Sequence, residues 1–71
     1  MDINDIAGNQ IATELKRYRL DREWSLRRLS AVTGLAVSAL WRIENGKVEP
    51  HELTVHRLKR ALPGFLETNA A

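Results

Sequence analysis

Apolar residues recur at the spacing of an α-helix in four successive segments of the chain. Ile11, Leu15 and Tyr18 lie four and three positions apart, which places them on one face of a helix. The same spacing recurs in three later segments, through Leu26 and Leu29, Leu40 and Ile43, and Val55, Leu58 and Leu62. No segment alternates with a period of two for long enough to form a strand. The pattern predicts an all-α chain with helices over about residues 10–21, 25–33, 37–45 and 51–62.

The residues between these segments are typical of helix ends. Ser25 stands where its hydroxyl can cap the second helix, and Gly34 stands where a left-handed residue would close it. Asn45-Gly46 and Pro63-Gly64 terminate the third and fourth helices in the same way. Because Phe65 and Leu66 could begin a further turn, the sequence predicts a compact bundle of four to five helices.

The chain has 71 residues and no cysteine, which fits one small domain without disulfides or thiolate zinc sites. We divide it into an N-terminal arm (residues 1–8), a domain (9–66) and a C-terminal tail (67–71). The two histidines, His51 and His56, are five positions apart and do not form a ligand pair on one helical face. We therefore expect no metal and no cofactor, and stability that rests on an apolar core with or without an oligomer interface.

The basic residues are confined to the middle of the chain. The formal charge is only +2, but all eleven basic residues lie between Lys16 and Arg60 with five acidic ones, which gives that stretch +6. Residues 1–15 carry −3 and residues 61–71 carry −1. Such asymmetry is typical of a surface that binds a polyanion, although solvated basic helices are also common.

No segment resembles a membrane span or a signal peptide. The longest apolar-looking run, around Leu35 to Trp41, is far shorter than the roughly 20 residues that a transmembrane helix needs. The N-terminus carries acidic residues where a signal peptide has a basic flank. We expect a cytoplasmic protein without a membrane partner.

Residues 25–46 hold two short predicted helices joined by residues 34–36, which is the arrangement of a helix-turn-helix. Gly34 allows the sharp turn, and Leu40 and Ile43 bury one side of the third helix while its opposite side stays exposed. In a helix-turn-helix the second of the two helices enters the major groove of DNA.

The sequence resembles the phage-repressor and Cro type of helix-turn-helix domain, also called the XRE type. The resemblance covers about Ile11 to Leu62, and its strongest part is the run LWRIENGK from Leu40 to Lys47. It implies a lambda-repressor-like fold and sequence-specific binding of double-stranded DNA by a transcriptional regulator, in the first place a repressor. An autorepressor, a small operon regulator of a phage or mobile element, a restriction-modification controller and an antitoxin all fit. The expected partners are a palindromic operator and a second copy in a homodimer, with no small-molecule ligand.

The resemblance also implies roles for individual residues. Arg19 and Glu44 match a structural salt bridge, and Asn45 and Lys47 match a corner that contacts phosphates. The positions that face base edges are Ala36, Val37, Ser38 and Arg42. Those at 37, 38 and 42 project away from Leu40 and Ile43.

Two positions depart from the family's usual pattern. Ala36 replaces the usual serine or threonine and cannot cap the recognition helix, which costs about 1 kcal/mol unless another group caps it. Leu26 replaces a glutamine that holds a phosphate, and Arg27 and Arg28 are the candidates to take over that contact. Two cations at a helix N-terminus oppose the helix macrodipole, and a bound phosphate relieves that conflict.

The predicted reading surface is unusually apolar. Val37 offers contact only to a thymine methyl, and Ser38 is a permissive donor and acceptor. Arg42 can make a bidentate contact with guanine that is worth about 1–3 kcal/mol of discrimination. Trp41 is also expected to point outward, toward a base or sugar, an arginine stem or a protein interface, whereas Trp24 is expected in the core.

No catalytic set is recognisable, so we expect no enzyme. Ser25, Ser30 and Ser38 lack histidine and acid partners at helical spacing, and there is no glycine-rich phosphate loop. The rival interpretation is a protein-interaction module that uses the apolar Val37 and Trp41 face. The candidate dimer surface is the fourth helix with Phe65 and Leu66, or the segment with Ile3 and Ile6.

Overall fold

The computed structural model describes the backbone of residues 3–66 and the side chains of residues 10–66. This part of the chain contains four helices, α1 (Ile3–Asp21), α2 (Leu26–Thr33), α3 (Val37–Glu44) and α4 (Glu52–Ala61), and no strand. The predicted all-α bundle is confirmed. Turns over residues 63–66 stand where a fifth helix was an alternative.

Helix α1 begins at Ile3, whereas the sequence pattern predicts its start near residue 10. Residues 3–8, assigned above to an N-terminal arm, therefore lie within the helix. Gly8 and Asn9 are poor helix formers, so the sequence pattern does not indicate that the helix extends through them to Ile3. The apolar spacing of four nevertheless extends backwards from Ile11 through Ala7 to Ile3, and lengthening an existing helix avoids the cost of nucleation.

All four helices contribute to one apolar core. Helix α2 packs against α3 and α4, and α1 packs against α3. The core consists of Leu15, Leu29, Leu40, Ile43, Leu58, Leu62 and Phe65. Each of the four helical stripes read from the sequence therefore supplies at least one of its residues.

Phe65 corrects the predicted dimer surface. It is only 2% exposed and packs edge to face against Tyr18, with ring centroids 5.9 Å apart. The chain turns back after Pro63 through Gly64, whose φ is +83°, and this turn directs Phe65 into the core. Phe65 is therefore unavailable to a partner, and Leu66 is half-buried against the same core. Ile3 and Ile6, the other candidates, have side chains outside those described.

None of the helices in the described part of the chain has the length and apolarity needed to cross a bilayer.

Candidate nucleic-acid interface

The turn between α2 and α3 is fixed by hydroxyl groups at the end of α2. Ser30 Oγ donates to the carbonyl of Leu35 at 2.6 Å, and Thr33 Oγ1 accepts from the amide of Leu35 at 3.2 Å. Thr33 is buried and also donates to the carbonyl of Leu29 at 2.8 Å. Both backbone polar groups of Leu35 are thus satisfied by side chains, which holds the turn in one conformation.

Gly34 completes the turn. Its φ is +80° and its amide donates to the carbonyl of Ser30 at 2.8 Å, as the sequence predicts for a left-handed residue after α2. The roles of Ser30 and Thr33 were not foreseen. Their signal is weak because a hydroxyl near the end of a helix more often bonds only to the preceding turn.

Arg19 and Glu44 form the expected ion pair. Arg19 Nε donates to Glu44 Oε2 at 2.8 Å and Nη2 donates to Oε1 at 2.9 Å, which is the bidentate geometry. The side chains are 13% and 3% exposed. The hydrogen bond with Glu44 raises the pKa of Arg19, the negative charge of Glu44 adds to that effect, and burial opposes it. The guanidinium stays charged at any pH of interest.

The same guanidinium reaches a third element. Arg19 Nη1 donates to the carbonyl of Trp24 at 3.0 Å, while the amide of Trp24 donates to the carbonyl of Arg19. One side chain therefore connects the last turn of α1, the segment before α2 and the last residue of α3. The end of α3 is thereby tied to α1.

Helix α3 has one buried side and one exposed side. Leu40 and Ile43 lie in the core, whereas Val37 is 38% and Trp41 47% exposed. The candidate base-reading residues are all exposed and lie on the outward side of the helix. They are Val37, Ser38, Trp41 and Arg42. The fold thus brings these four side chains together, with two apolar and two polar members.

Helix α3 starts without a side-chain cap. Ala36 is in the N-cap position and makes no side-chain hydrogen bond to the first turn, as its chemistry dictates. Among the described residues no side chain forms a capping hydrogen bond at the start of α3. The amides of its first turn are therefore free to bind water or a ligand.

The corner after α3 is closed by Asn45. Its Nδ2 donates to the carbonyl of Trp41 at 2.8 Å, and Gly46 follows with a φ of +69°. The amide of Lys47 donates to the carbonyl of Arg42 at 2.8 Å, and the side chain of Lys47 is exposed. Asn45 therefore has its amide group engaged with the last turn of the helix, and the residue as a whole is exposed.

The start of α2 presents two further cations. Ser25 Oγ accepts from the amide of Arg28 at 3.0 Å, which is the predicted N-cap, and Arg27 and Arg28 are exposed. The sequence predicts Trp24 in the core, but its side chain is only half-buried and packs against the edge of the core. Within residues 10–66 the salt bridges are Arg17–Glu14 and Arg19–Glu44. The candidate phosphate-contacting cations Arg27, Arg28 and Lys47 are thus without a carboxylate partner there.

The described residues show no alternative site of evident chemistry. Within that part of the chain no three His, Asp or Glu side chains lie together in a way that could hold a metal ion. The depressions on its surface are open, and the one beside Arg42 and Pro50 has a volume of about 240 Å³.

A model of the family described as "Helix-turn-helix domain" matches residues 10–63. The match spans α2, the turn, α3 and α4, and most of α1. Neither a curated protein nor a solved structure matches the chain significantly. The family match indicates a DNA-binding regulator, and domains of this kind are typically not enzymes.

Proposed function

Because the chain belongs to the helix-turn-helix domain family, we propose that it binds specific sequences of double-stranded DNA as a homodimeric transcriptional repressor. The observation that carries the proposal is the outward side of α3. It exposes Val37, Ser38, Trp41 and Arg42 while Leu40 and Ile43 hold the helix in place. The major groove of DNA is wide enough to admit one α-helix, whose exposed side chains then face the base edges.

Base recognition in this proposal is divided between one strong polar contact and several apolar ones. Arg42 binds O6 and N7 of a guanine, and Ser38 adds a hydrogen bond that tolerates several bases. Val37 and Trp41 contact thymine methyl groups or the sugar edge. The preferred half-site therefore combines a guanine with neighbouring A·T pairs.

Backbone contacts come from both ends of this surface. Arg27 and Arg28 lie at the start of α2, and Asn45 and Lys47 lie in the corner after α3. Four phosphates per protomer make eight per dimer, for which the affinity falls with a log–log slope of about −7 in salt. The positive potential of these side chains attracts DNA before any base is read.

A homodimer follows from the small size of one reading surface. One recognition helix covers only a few base pairs, and two copies related by a two-fold axis double the number of base pairs that are read. Helix α4 offers Leu53, which is 81% exposed, as the apolar centre of the contact. Leu66 lies half-buried at the end of the described chain. Repression, and an origin in a phage or mobile element, rest on the resemblance of the segment from Leu40 to Lys47.

The test is selection from random DNA duplexes with the purified chain, followed by sequencing. We expect an enriched palindrome whose half-site centres are about 10–10.5 base pairs apart, or a multiple of that spacing. Arg42→Ala should lose the preference at one base pair in each half-site. Lys16→Ala removes the same charge from the exposed surface of α1 and should leave the preference intact. If no sequence is enriched, or if Arg42→Ala selects the same sequence, the proposal fails.

A second candidate function is a protein-interaction module. It is favoured by the exposed apolar side chains of Val37 and Trp41, which are unusual on a DNA-reading helix. Such a module predicts no enrichment of a DNA sequence and a partner affinity that varies little with salt. The dependence of the affinity on salt therefore separates the two functions.

A further inference from the structure

Two arginines are stacked on an aromatic cluster between α1 and α2. Arg22 Cζ lies 3.3 Å from the ring centroid of Tyr18 and 5.9 Å from that of Trp24. Arg28 Cζ lies 5.7 Å from the same Trp24 ring. The rings of Tyr18 and Trp24 pack edge to face at 6.2 Å. One indole thus has two guanidinium groups within cation–π distance.

The aromatic support under these cations is itself anchored. Tyr18 Oη donates to the carbonyl of Pro63 at 2.8 Å, and its ring packs against the buried Phe65. Trp24 is held on its backbone side by Arg19. Arg22 is further ordered by the hydrogen bond from its Nη1 to the carbonyl of Tyr18 at 3.2 Å. The rings beside the cations are therefore held by hydrogen bonds and by packing against the core.

Stacking on a ring face leaves the in-plane N–H donors of a guanidinium accessible. Both arginines are exposed, and neither forms a salt bridge within residues 10–66. Because their rotamers are already restricted, less conformational entropy is lost when they bind an anion. Apart from the bond of Arg22 Nη1 to Tyr18, the N–H donors of these two planar groups are available to phosphate oxygens.

We propose that Arg22 and Arg28 form a pair that binds two phosphates of one DNA strand at the outer flank of each half-site. The proposal rests on the proposed function and adds Arg22, to which the sequence assigned no role. It follows from the position of Trp24, two residues before α2, because the first helix of a helix-turn-helix crosses the DNA backbone. Glu23, exposed between the two arginines, opposes the contact and limits its strength.

The first test compares charge-matched variants on the duplex selected above. Arg22→Ala should weaken binding about three- to tenfold and reduce the salt slope by about 1 per protomer. Lys16→Ala removes the same charge from the exposed surface of α1, at a residue with no assigned role, and should change the affinity less than about twofold. Arg22→Lys keeps the charge but lacks the planar fork, so we expect a loss of about threefold.

The second test locates the contact. Neutral methylphosphonates replace single phosphates of the operator, and the affinity of each duplex is measured. The wild type should lose affinity at two flanking phosphates in each half-site. Arg22→Ala should be insensitive at one of them and Arg28→Ala at the other.

The outcomes separate this proposal from the proposed function. If the wild type selects no duplex, the proposed function fails, and the arginine pair fails with it. If the wild type binds its operator but Arg22→Ala matches Lys16→Ala in affinity, only the arginine pair is wrong. The pair is also wrong if Arg22→Ala keeps the wild-type profile with every methylphosphonate duplex.

Discussion

Helices α2 and α3 have the same length of eight residues but are fixed in opposite ways. Helix α2 is closed by groups at its own ends, with the Ser25 cap at the start and Gly34 and Thr33 at the finish. Helix α3 lacks a side-chain cap at its start and depends on Arg19, which comes from another helix. The end of α3 is thus tied to another helix, whereas both ends of α2 are closed by local contacts. Isolated helices of this length are unstable in water, so the difference has consequences for both.

The largest expected effect is the loss of the tertiary contact of α3. Glu44→Ala leaves the guanidinium of Arg19 buried without its carboxylate, and we expect the free energy of unfolding to fall by about 3 kcal/mol. Urea unfolding followed by circular dichroism measures the change. Glu14→Ala is the matched control, because its pairing with Arg17 is long (3.9 Å) and exposed, and should cost less than about 0.5 kcal/mol. Equal effects of the two variants would show that the bidentate pair does not position α3.

A smaller effect is expected at the joint between the two helices. Thr33→Val removes the acceptor for the amide of Leu35 and should cost about 1–2 kcal/mol, because a buried donor is left unsatisfied. Thr13→Val, on the exposed surface of α1, should change the stability by less than about 0.5 kcal/mol. Hydrogen exchange of the Leu35 amide should accelerate only in the first variant. Unchanged protection there would contradict the role given to Thr33.

The two helix starts give a pair of opposite changes. Ser25→Ala should lower the free energy of unfolding by about 1 kcal/mol, since it removes the cap of α2. Ala36→Ser should raise it by up to about 1 kcal/mol, because the extended backbone of residue 36 suits a capping side chain. Thermal unfolding of the two variants and the wild type tests both at once. A loss of stability in Ala36→Ser would mean that the start of α3 is satisfied in another way.

The smallest effect concerns the bases. Replacing a contacted thymine of the selected operator by uracil removes one methyl group, and we expect a loss of about 0.5–1 kcal/mol in binding free energy. Val37→Ala and Trp41→Ala should each abolish the sensitivity at one thymine. Uracil at a position outside the half-sites is the control. Full affinity for an operator with uracil throughout would exclude methyl recognition by the apolar side chains.

The sequence carried the parts of the fold that depend on spacing and on residue chemistry. Apolar periodicity located α2, α3 and α4 to within a residue or so, and glycines marked the ends of α2 and α3. The partnership of Arg19 with Glu44 was available because the resemblance fixes both positions. Because alanine cannot cap a helix, Ala36 predicted that its side chain makes no capping hydrogen bond at the start of α3.

Other features were out of reach because they depend on long-range packing. Phe65 follows a helix-ending Pro-Gly pair and looked like a surface residue, but the direction of that turn is set by the space beside Tyr18. The stacking of Arg22 is local in sequence, but it joins Tyr18 on α1 to Trp24 in the following turn, and the spacing alone did not show that these two rings meet. The hydroxyl of Thr33 becomes important only when burial removes water from its surroundings.

The division between the two sides of α3 bears on how readily this domain could be retargeted. The helix is held by the side chains of Leu40, Ile43, Glu44 and Asn45 and by backbone atoms, and none of the side chains at 37, 38, 41 or 42 is among them. A library randomised at those four positions should therefore consist largely of folded members with different sequence preferences. New specificities would then arise by single substitutions, each of which leaves the domain folded.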